Sequence, residues 1–155
     1  METAKRPAAR ATSAVDRFAT LAVRRGVSLG ALHSSNARDF ALVLAAAAQA
    51  FPKGHVFGER AVNDLLRAFL GDAGALLATD HVELRRWLVD FRLLERDGYG
   101  RVYRAGTPMP EIALLVVQLT GTDLAAIARN ARDGDAARRA ERKDRWQNAR
   151  RGADG

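Results

Sequence analysis

The sequence predicts a mainly α-helical protein with a winged-helix-like domain at 51–104 and further helices on both sides of it. Three observations predict this fold class. Apolar residues recur at helical spacing through most of the chain, and one strong hairpin turn follows the second central helix. The resulting order of helix, connection, helix and hairpin is that of a winged helix.

The N-terminal third is predicted to consist of a tail and two helices. Residues 1–12 are polar and basic, which is typical of a flexible tail. The N-terminal helical region follows at 13–50. A helix is expected over 14–25, a loop over 27–35 and a second helix over 37–50, where polar residues and Gly mark the breaks.

The central domain begins with a short extended piece, HVF, and an amphipathic helix over 59–70. A connection leads to a second helix over 80–91, where Asp80 and Glu83 have the spacing of a capping box. Two short β segments flanking the sequence DGYG at 97–100 predict a hairpin. The apolar residues at i, i+3, i+4 and i+7 of the second helix are expected to face the core: Leu84, Trp87, Leu88 and Phe91.

The C-terminal part is predicted to hold helices at 105–132 and a polar, charged tail at 133–155. The sequence EIALLVVQL favours a helix, with a strand as the lesser alternative because some of its residues are β-branched. For the tail, a solvated helix and a disordered segment both fit the composition.

The apolar surface of this C-terminal helix leaves two arrangements open. One is a homodimer formed through the helices at 14–25 and 111–129, since this surface exceeds what one small domain easily covers. The other is packing against the helices at 14–25 and 37–50 within the same chain.

The composition excludes several kinds of site. No cysteine occurs among the 155 residues, which excludes disulfides, thiolate metal sites and cysteine nucleophiles. The longest apolar run, ALVLAAAAQAF, is shorter than the roughly 20 residues that cross a bilayer. The basic N-terminus also lacks the apolar core of a secretory signal. We therefore expect a cytoplasmic protein without membrane contact.

The net charge of +7 is unevenly distributed along the chain. Residues 1–25 carry six basic and two acidic side chains, 26–104 carry ten and nine, and 105–155 carry nine and seven. Because the central part is nearly neutral, composition alone does not favour a general attraction of nucleic-acid phosphates by the folded core.

The segments VFGERAVNDLL and DHVELRRWLVDFRLLERDGYGRVYR resemble an uncharacterised bacterial domain family, domain of unknown function 2087. This resemblance covers about a third of the chain and is not seen at 1–50 or 110–155. It implies a winged-helix-like fold, sometimes joined to transcription-regulator domains, and no known reaction. Gly58 departs from a capping Thr in the family pattern, and the connection before Asp80 is longer than in the pattern. The matching positions are Glu59, Val62, Asn63, Leu66, Leu84, Arg85, Arg86, Leu88, Val89, Leu93, Leu94, Arg96, Gly100 and Tyr103.

The second central helix is the candidate recognition helix. Its Arg86 is expected to point outward beside Arg85, and a guanidinium can bind guanine or phosphate with two hydrogen bonds. The alternative is structural, with both arginines paired to Asp90, Glu83 or Asp64. Asn63, on the first central helix, is expected to bond to a nearby loop backbone.

The hairpin supplies Arg96, Arg101 and Arg104, which could follow a DNA backbone or minor groove as a wing, and Tyr99 at the tip could stack on a base. The alternative is an ordinary solvated hairpin in which Tyr103 packs inward.

No metal ligands, cofactor site or catalytic residues are predicted, and we do not expect an enzyme. His33, His55 and His81 are scattered, without the i, i+4 spacing of a zinc site. The sequence also contains no HExxH, GxSxG, GxGxxG or Walker A motif.

Three functional hypotheses follow. The first is a DNA-binding or transcription-associated regulator that contacts double-stranded DNA through the arginines of the second helix and the hairpin, with Lys5, Arg6 and Arg10 adding unspecific affinity. The second is a protein-interaction module that uses the winged-helix scaffold without binding nucleic acid, because Glu83 and Asp90 lie beside Arg86. The third is an enzyme or ligand sensor with a pocket between the centre and the flanking helices.

Overall fold

The computed structural model describes residues 13–153, and the predicted basic tail at 1–12, with Lys5, Arg6 and Arg10, lies outside them. The described residues form seven helices and three strands. In chain order they are α1 (Ala14–Ala22), α2 (Leu29–Ser35), α3 (Ala37–Ala48), β1 (Val56–Gly58), α4 (Glu59–Leu70), α5 (His81–Asp90), β2 (Leu94–Arg96), β3 (Val102–Ala105), α6 (Pro110–Leu119) and α7 (Leu124–Ala153).

The mainly helical fold class is confirmed. The three strands form one antiparallel sheet in the order β1-β3-β2, with α4 and α5 between the first strand and the hairpin. This order of elements is consistent with a winged-helix-like fold. Strand β3 lies in the middle of the sheet and its Tyr103 is buried, so the hairpin is anchored to the core at this residue.

Helix α3 lies at the centre of the core, and every side chain from Leu42 to Ala47 is buried. Small alanines on one side allow α6 to pack closely against it, and α6 contributes Ile112, Leu115 and Leu119 to the core. The segment is therefore a helix packed within its own chain. The alternative prediction of a strand at 111–119 is wrong, because long-range packing against α3 and Pro110 at the first helical position both favour the helix.

A polar clamp joins α1 to α3. The carboxylate of Asp39 is buried and accepts two hydrogen bonds from the guanidinium of Arg17, at 2.9 and 2.6 Å, and one from the amide of Asn36 at 2.8 Å. The buried charge is thus fully paired. The hydrogen bond to Asp39 raises the pKa of the Arg17 guanidinium above its ordinary value.

The prediction of a loop at 27–35 is wrong, because most of this segment forms α2. Ser28 caps this helix by accepting a hydrogen bond from the Ala31 N–H, and Leu29 and Leu32 are buried. Val27 pairs with Leu77 in a parallel bridge. A seven-residue helix containing glycine and two serines has a weak intrinsic preference, so tertiary burial decides its conformation.

The polar segment predicted at 133–155 as a solvated helix or a disordered tail is helical as far as it is described, because α7 runs without a break to Ala153. Only Leu124 and Ala128 of α7 are buried. Its first turns hold the end of α1 and the connection between α4 and α5, since Arg132 donates hydrogen bonds to the carbonyl oxygens of Ala22 and Asp72 at 3.1 and 2.8 Å. Partial burial lowers the pKa of Arg132.

The end of α5 forms a tight joint with the end of β3. Arg92 takes a left-handed conformation, with φ of 63°, and the Leu93 N–H bonds back to the Leu88 carbonyl at 2.8 Å. This is a Schellman ending with arginine in the place that glycine usually takes. Gly106 completes the joint, because its N–H donates to the Leu93 carbonyl at 3.0 Å.

We expect Gly106→Ala to lower the free energy of unfolding by about 1–3 kcal/mol, measured by urea denaturation. A Cβ atom at Gly106 would lie 2.3 Å from the carbonyl oxygen of Arg92, and because this obstacle is backbone it has little room to move. Gly98→Ala is the matched control, since a Cβ there meets no atom within 4 Å. Equal stability of the two variants would show that the joint is not tight.

Candidate nucleic-acid interface

Helix α5 is fixed at its start by Asp80, whose carboxylate accepts a hydrogen bond from the Glu83 N–H at 2.8 Å. This is half of the predicted capping box. The Glu83 carboxylate instead accepts a short hydrogen bond from the hydroxyl of Thr79. Glu83 is therefore occupied at the start of the helix, and it pairs with neither Arg85 nor Arg86.

The inner face of α5 is only partly as predicted. Leu84 and Leu88 are fully buried, but Trp87 and Phe91 are half-buried. These two rings form an aromatic cluster with Phe40 of α3 and the exposed His33 of α2, with the Phe40 and Trp87 centroids 5.0 Å apart in an edge-to-face arrangement. This cluster sets the tilt of α5 on the flanking helices.

Arg85 is held inside the fold. Its guanidinium donates to the Asn63 side-chain oxygen at 2.6 Å and to the Glu59 carboxylate at 3.3 Å, and it lies 5.9 Å from the centre of the Tyr103 ring. Only 19% of its side chain is exposed. Arg85 therefore joins α4, α5 and β3 through contacts within the fold.

Two predictions about these contacts need correction. Asn63 was expected to bond to a loop backbone, but it bonds to the side chain of Arg85. The structural alternative for Arg85 named Asp90, Glu83 or Asp64 as its partner, but the carboxylate is that of Glu59. The sequence could not distinguish these carboxylates, because the choice depends on the angle between α4 and α5.

Arg86 is exposed on α5, on the side of the helix that also carries Val89 three residues later. The exposed Val82 and Asp90 lie one turn before and one turn after it. Arg86 thus points to solvent, as predicted, from the helix that was predicted to be the recognition helix.

The hairpin tip is shaped by Asp97. Its carboxylate accepts hydrogen bonds from the backbone N–H groups of Tyr99 and Arg101, at 3.1 and 3.0 Å, and these bonds lower its pKa. Arg101 lies over the Tyr99 ring, 4.9 Å from its centre, and the tyrosine is 80% exposed. The tip therefore presents an exposed ring and a cation in a defined turn.

Arg96 and Arg104 line one open depression of about 410 Å³ between the edge of β2 and α5. In the sheet, Arg104 pairs with Glu95 and Arg96 pairs with Tyr103, so the two arginines leave opposite faces of the hairpin. They meet because β2 is an edge strand, and long side chains from both faces reach its free side. We call this site the arginine depression; its lining residues are Val89, Arg92, Leu94, Glu95, Arg96 and Arg104.

The positive charge of this surface is not neutralised internally. Within residues 13–153, no ion pair involves Arg86, Arg92, Arg96 or Arg104. The acidic side chains at this surface are Glu95 in the arginine depression and the exposed Asp90 on α5. The surface therefore carries more positive than negative groups, although residues 26–104 as a whole are nearly neutral.

The sequence analysis did not identify Arg92 as part of the site. This exposed residue follows α5 and lines the arginine depression from the left-handed conformation described above. A signal was available, because a helix that ends in Phe-Arg-Leu-Leu, with no glycine or asparagine, leaves no favoured residue for its left-handed cap.

The predicted dimer surface is only partly available. The apolar residues of α1, Phe18, Leu21 and Ala22, are buried within the chain, whereas Leu114 and Val117 on the outer side of α6 are 56% and 68% exposed. A homodimer stays a prediction.

Neither a metal cluster nor a membrane-spanning helix is found in the described part of the chain. Across residues 13–153, no three His, Asp or Glu side chains are grouped so that they could hold a metal ion. None of the helices there is, by itself, long and apolar enough to cross a bilayer.

Residues 33–105 match the model of a family described as an uncharacterized protein conserved in bacteria, DUF2087. This part of the chain is similar to that family. The DUF2087 match begins at residue 33, so the prediction that the resemblance leaves out all of 1–50 is wrong for 33–50. The DUF2087 match includes α3, the helix at the centre of the core. No curated protein and no solved structure matches the chain.

The turn at the tip of the DUF2087 hairpin should depend on pH. The carboxylate of Asp97 is stabilised in its charged form, so its contribution is complete above the unfolded pKa of about 3.9 and is lost as pH falls through the lower folded pKa. We expect the amide resonances of Tyr99 and Arg101 to titrate with an apparent pKa below that of a free aspartate, measured by NMR. In Asp97→Asn this titration should be absent. A midpoint at or above the ordinary value would contradict the hydrogen bonds described here.

Proposed function

We propose that this protein binds double-stranded DNA through α5 and the hairpin, as a transcription-associated regulator. The observation that carries this proposal is the arginine depression, where Arg92, Arg96 and Arg104 surround one open site without an internal carboxylate partner among residues 13–153. A guanidinium group binds phosphate with two parallel hydrogen bonds, so arginines around an open site are suited to a DNA backbone.

The helix beside the depression supports the same function. Arg86 projects from α5, which occupies the place of the recognition helix in a helix-turn-helix arrangement and would enter the major groove. The hairpin would lie along the adjacent backbone, with Arg101 and the exposed Tyr99 at its tip. The resemblance to the DUF2087 family implies a domain that is sometimes joined to transcription-regulator domains, which agrees with this proposal.

The conformation of Arg92 adds an independent argument. A non-glycine residue in the left-handed region costs about 1 kcal/mol, and glycine would remove this cost at no loss of packing because the side chain is exposed. The proposed function gives the Arg92 side chain a use, because it lines the depression.

Arg85 has a positioning role in this proposal. It differs from the other predicted contact residues because its guanidinium already binds Glu59 and Asn63. By fixing α4 to α5, it orients the helix that carries Arg86.

We expect Arg92→Ala/Arg104→Ala to weaken binding to a fluorescein-labelled duplex and to reduce the slope of log affinity against log salt by about two, between about 50 and 200 mM salt. Each lost phosphate contact removes about one released counterion. The matched control is Arg24→Ala/Arg38→Ala, which removes one exposed arginine after the end of α1 and one on α3, neither of which lines the depression. Fluorescence anisotropy measures the affinity and its salt dependence for both double variants.

Two further variants separate the side chain of Arg92 from its backbone. Arg92→Gly should be more stable than Arg92→Ala by about 1 kcal/mol, yet both should bind DNA equally weakly. Equal affinity of wild type and the double variant would contradict the proposal. Loss of binding only on deletion of 1–12 would also contradict it, since the tail alone would then account for the affinity.

A second candidate function is a protein-interaction module without nucleic-acid binding, and a different surface favours it. Leu114 and Val117 present an apolar patch on α6, and β2 offers unpaired backbone groups at the sheet edge. We expect a specific partner, if this function holds, to be retained by wild type and lost by Leu114→Asp/Val117→Asp in affinity purification. Retention of every partner by this variant would exclude α6 as the interaction surface.

A further inference from the structure

A cavity larger than the arginine depression lies at the base of the hairpin. Its volume is about 500 Å³, within the range of small-molecule sites, and its walls come from the end of α3 with the residues after it, from α6, and from the base of the hairpin. We call it the hairpin-base cavity. The apolar residues of its wall include Phe51, Leu93, Pro108, Ala113 and Val116.

The polar groups of this cavity are few and of distinct kinds. Lys53 is the only ionisable side chain among the lining residues, and it is exposed at the rim. Gln49 uses its amide N–H groups on the carbonyl oxygens of Ala45 and Val116, both at 3.1 Å. An apolar interior with one cation at the rim is complementary to an apolar body that ends in an anion.

The cavity shares a wall with the arginine depression. Leu93 and Gly106 line the cavity, and the same backbone carries the joint at which Gly106 bonds to Leu93 and lies against the Arg92 carbonyl. Arg92 and Leu94, on either side of Leu93 in the chain, line the arginine depression. A molecule in the cavity therefore contacts the backbone that places these arginines.

We propose that the hairpin-base cavity binds a small apolar carboxylate, of the class of medium-chain fatty acids or aromatic acids, and that this ligand strengthens DNA binding. The second part rests on the proposed function. We expect a positive sign, because the ligand would contact Leu93 and Gly106 in the arrangement that places the arginines around one depression, and DNA would bind the same arrangement.

The binding site is tested first, without DNA. Octanoate and the neutral octanol serve as probes, each detected by displacement of anilinonaphthalene sulfonate fluorescence and by the rise in Tm. We expect both probes to bind. Lys53→Ala should weaken the binding of octanoate by about threefold to fivefold and leave the binding of octanol unchanged. Lys143→Ala, an exposed lysine on α7, is the matched control and should change neither.

A second variant tests the location. Ala113→Phe fills the cavity from α6 and should abolish binding of both probes, with helical content checked by circular dichroism. Binding that persists in Ala113→Phe, or an octanoate affinity that is equal in wild type and Lys53→Ala, would overturn the site.

The coupling is tested last, with the duplex used above. We expect saturating octanoate to tighten DNA binding by about fivefold, and to have no effect in Ala113→Phe. An unchanged DNA affinity in the presence of bound octanoate would overturn the coupling. Because octanoate binding is measured without DNA, a failure of DNA binding itself would refute only the proposed function and the coupling, and the cavity site would be judged by its own variants.

Discussion

The contact on which the candidate site depends is the close approach of Gly106 to the carbonyl of Arg92. It brings the end of β3 against the end of α5. The direction of the edge strand β2, which follows α5, is thereby fixed relative to the helix. The Schellman bonds of Arg92 and Leu93 fix the same turn from the helix side. Two short elements, which would have little stability alone, thereby hold long arginine side chains around one depression.

The placement of charge explains how a nearly neutral segment presents a positive surface. Several acidic groups of the central unit are used within the fold, as Asp80 caps α5, Glu83 binds Thr79 and Asp97 shapes the hairpin tip. Glu59 neutralises Arg85, which ties the helices together. What remains at the surface is therefore enriched in arginine, a result that counting charges along the chain could not give.

The elements that sequence analysis predicted well are those with a strong local signal. The helix at 59–70 has regular apolar spacing, and the DGYG turn leaves few alternatives to a hairpin. The sequence analysis missed α2 and the partner of Arg85, because both depend on contacts between residues distant in the chain. The convergence of Arg96 and Arg104 also required the sheet, since their register places them on opposite faces of the hairpin.

The position of Arg92 connects the stability of the joint with the proposed function. At the same place glycine would relieve the backbone, and the Schellman hydrogen bonds would remain, so folding alone favours glycine. Arg92 lines the arginine depression, while the next residue, Leu93, lines the hairpin-base cavity. A backbone in this conformation between two open sites is accessible to contacts from either side. That property makes this joint the natural place for a ligand to influence the proposed DNA surface.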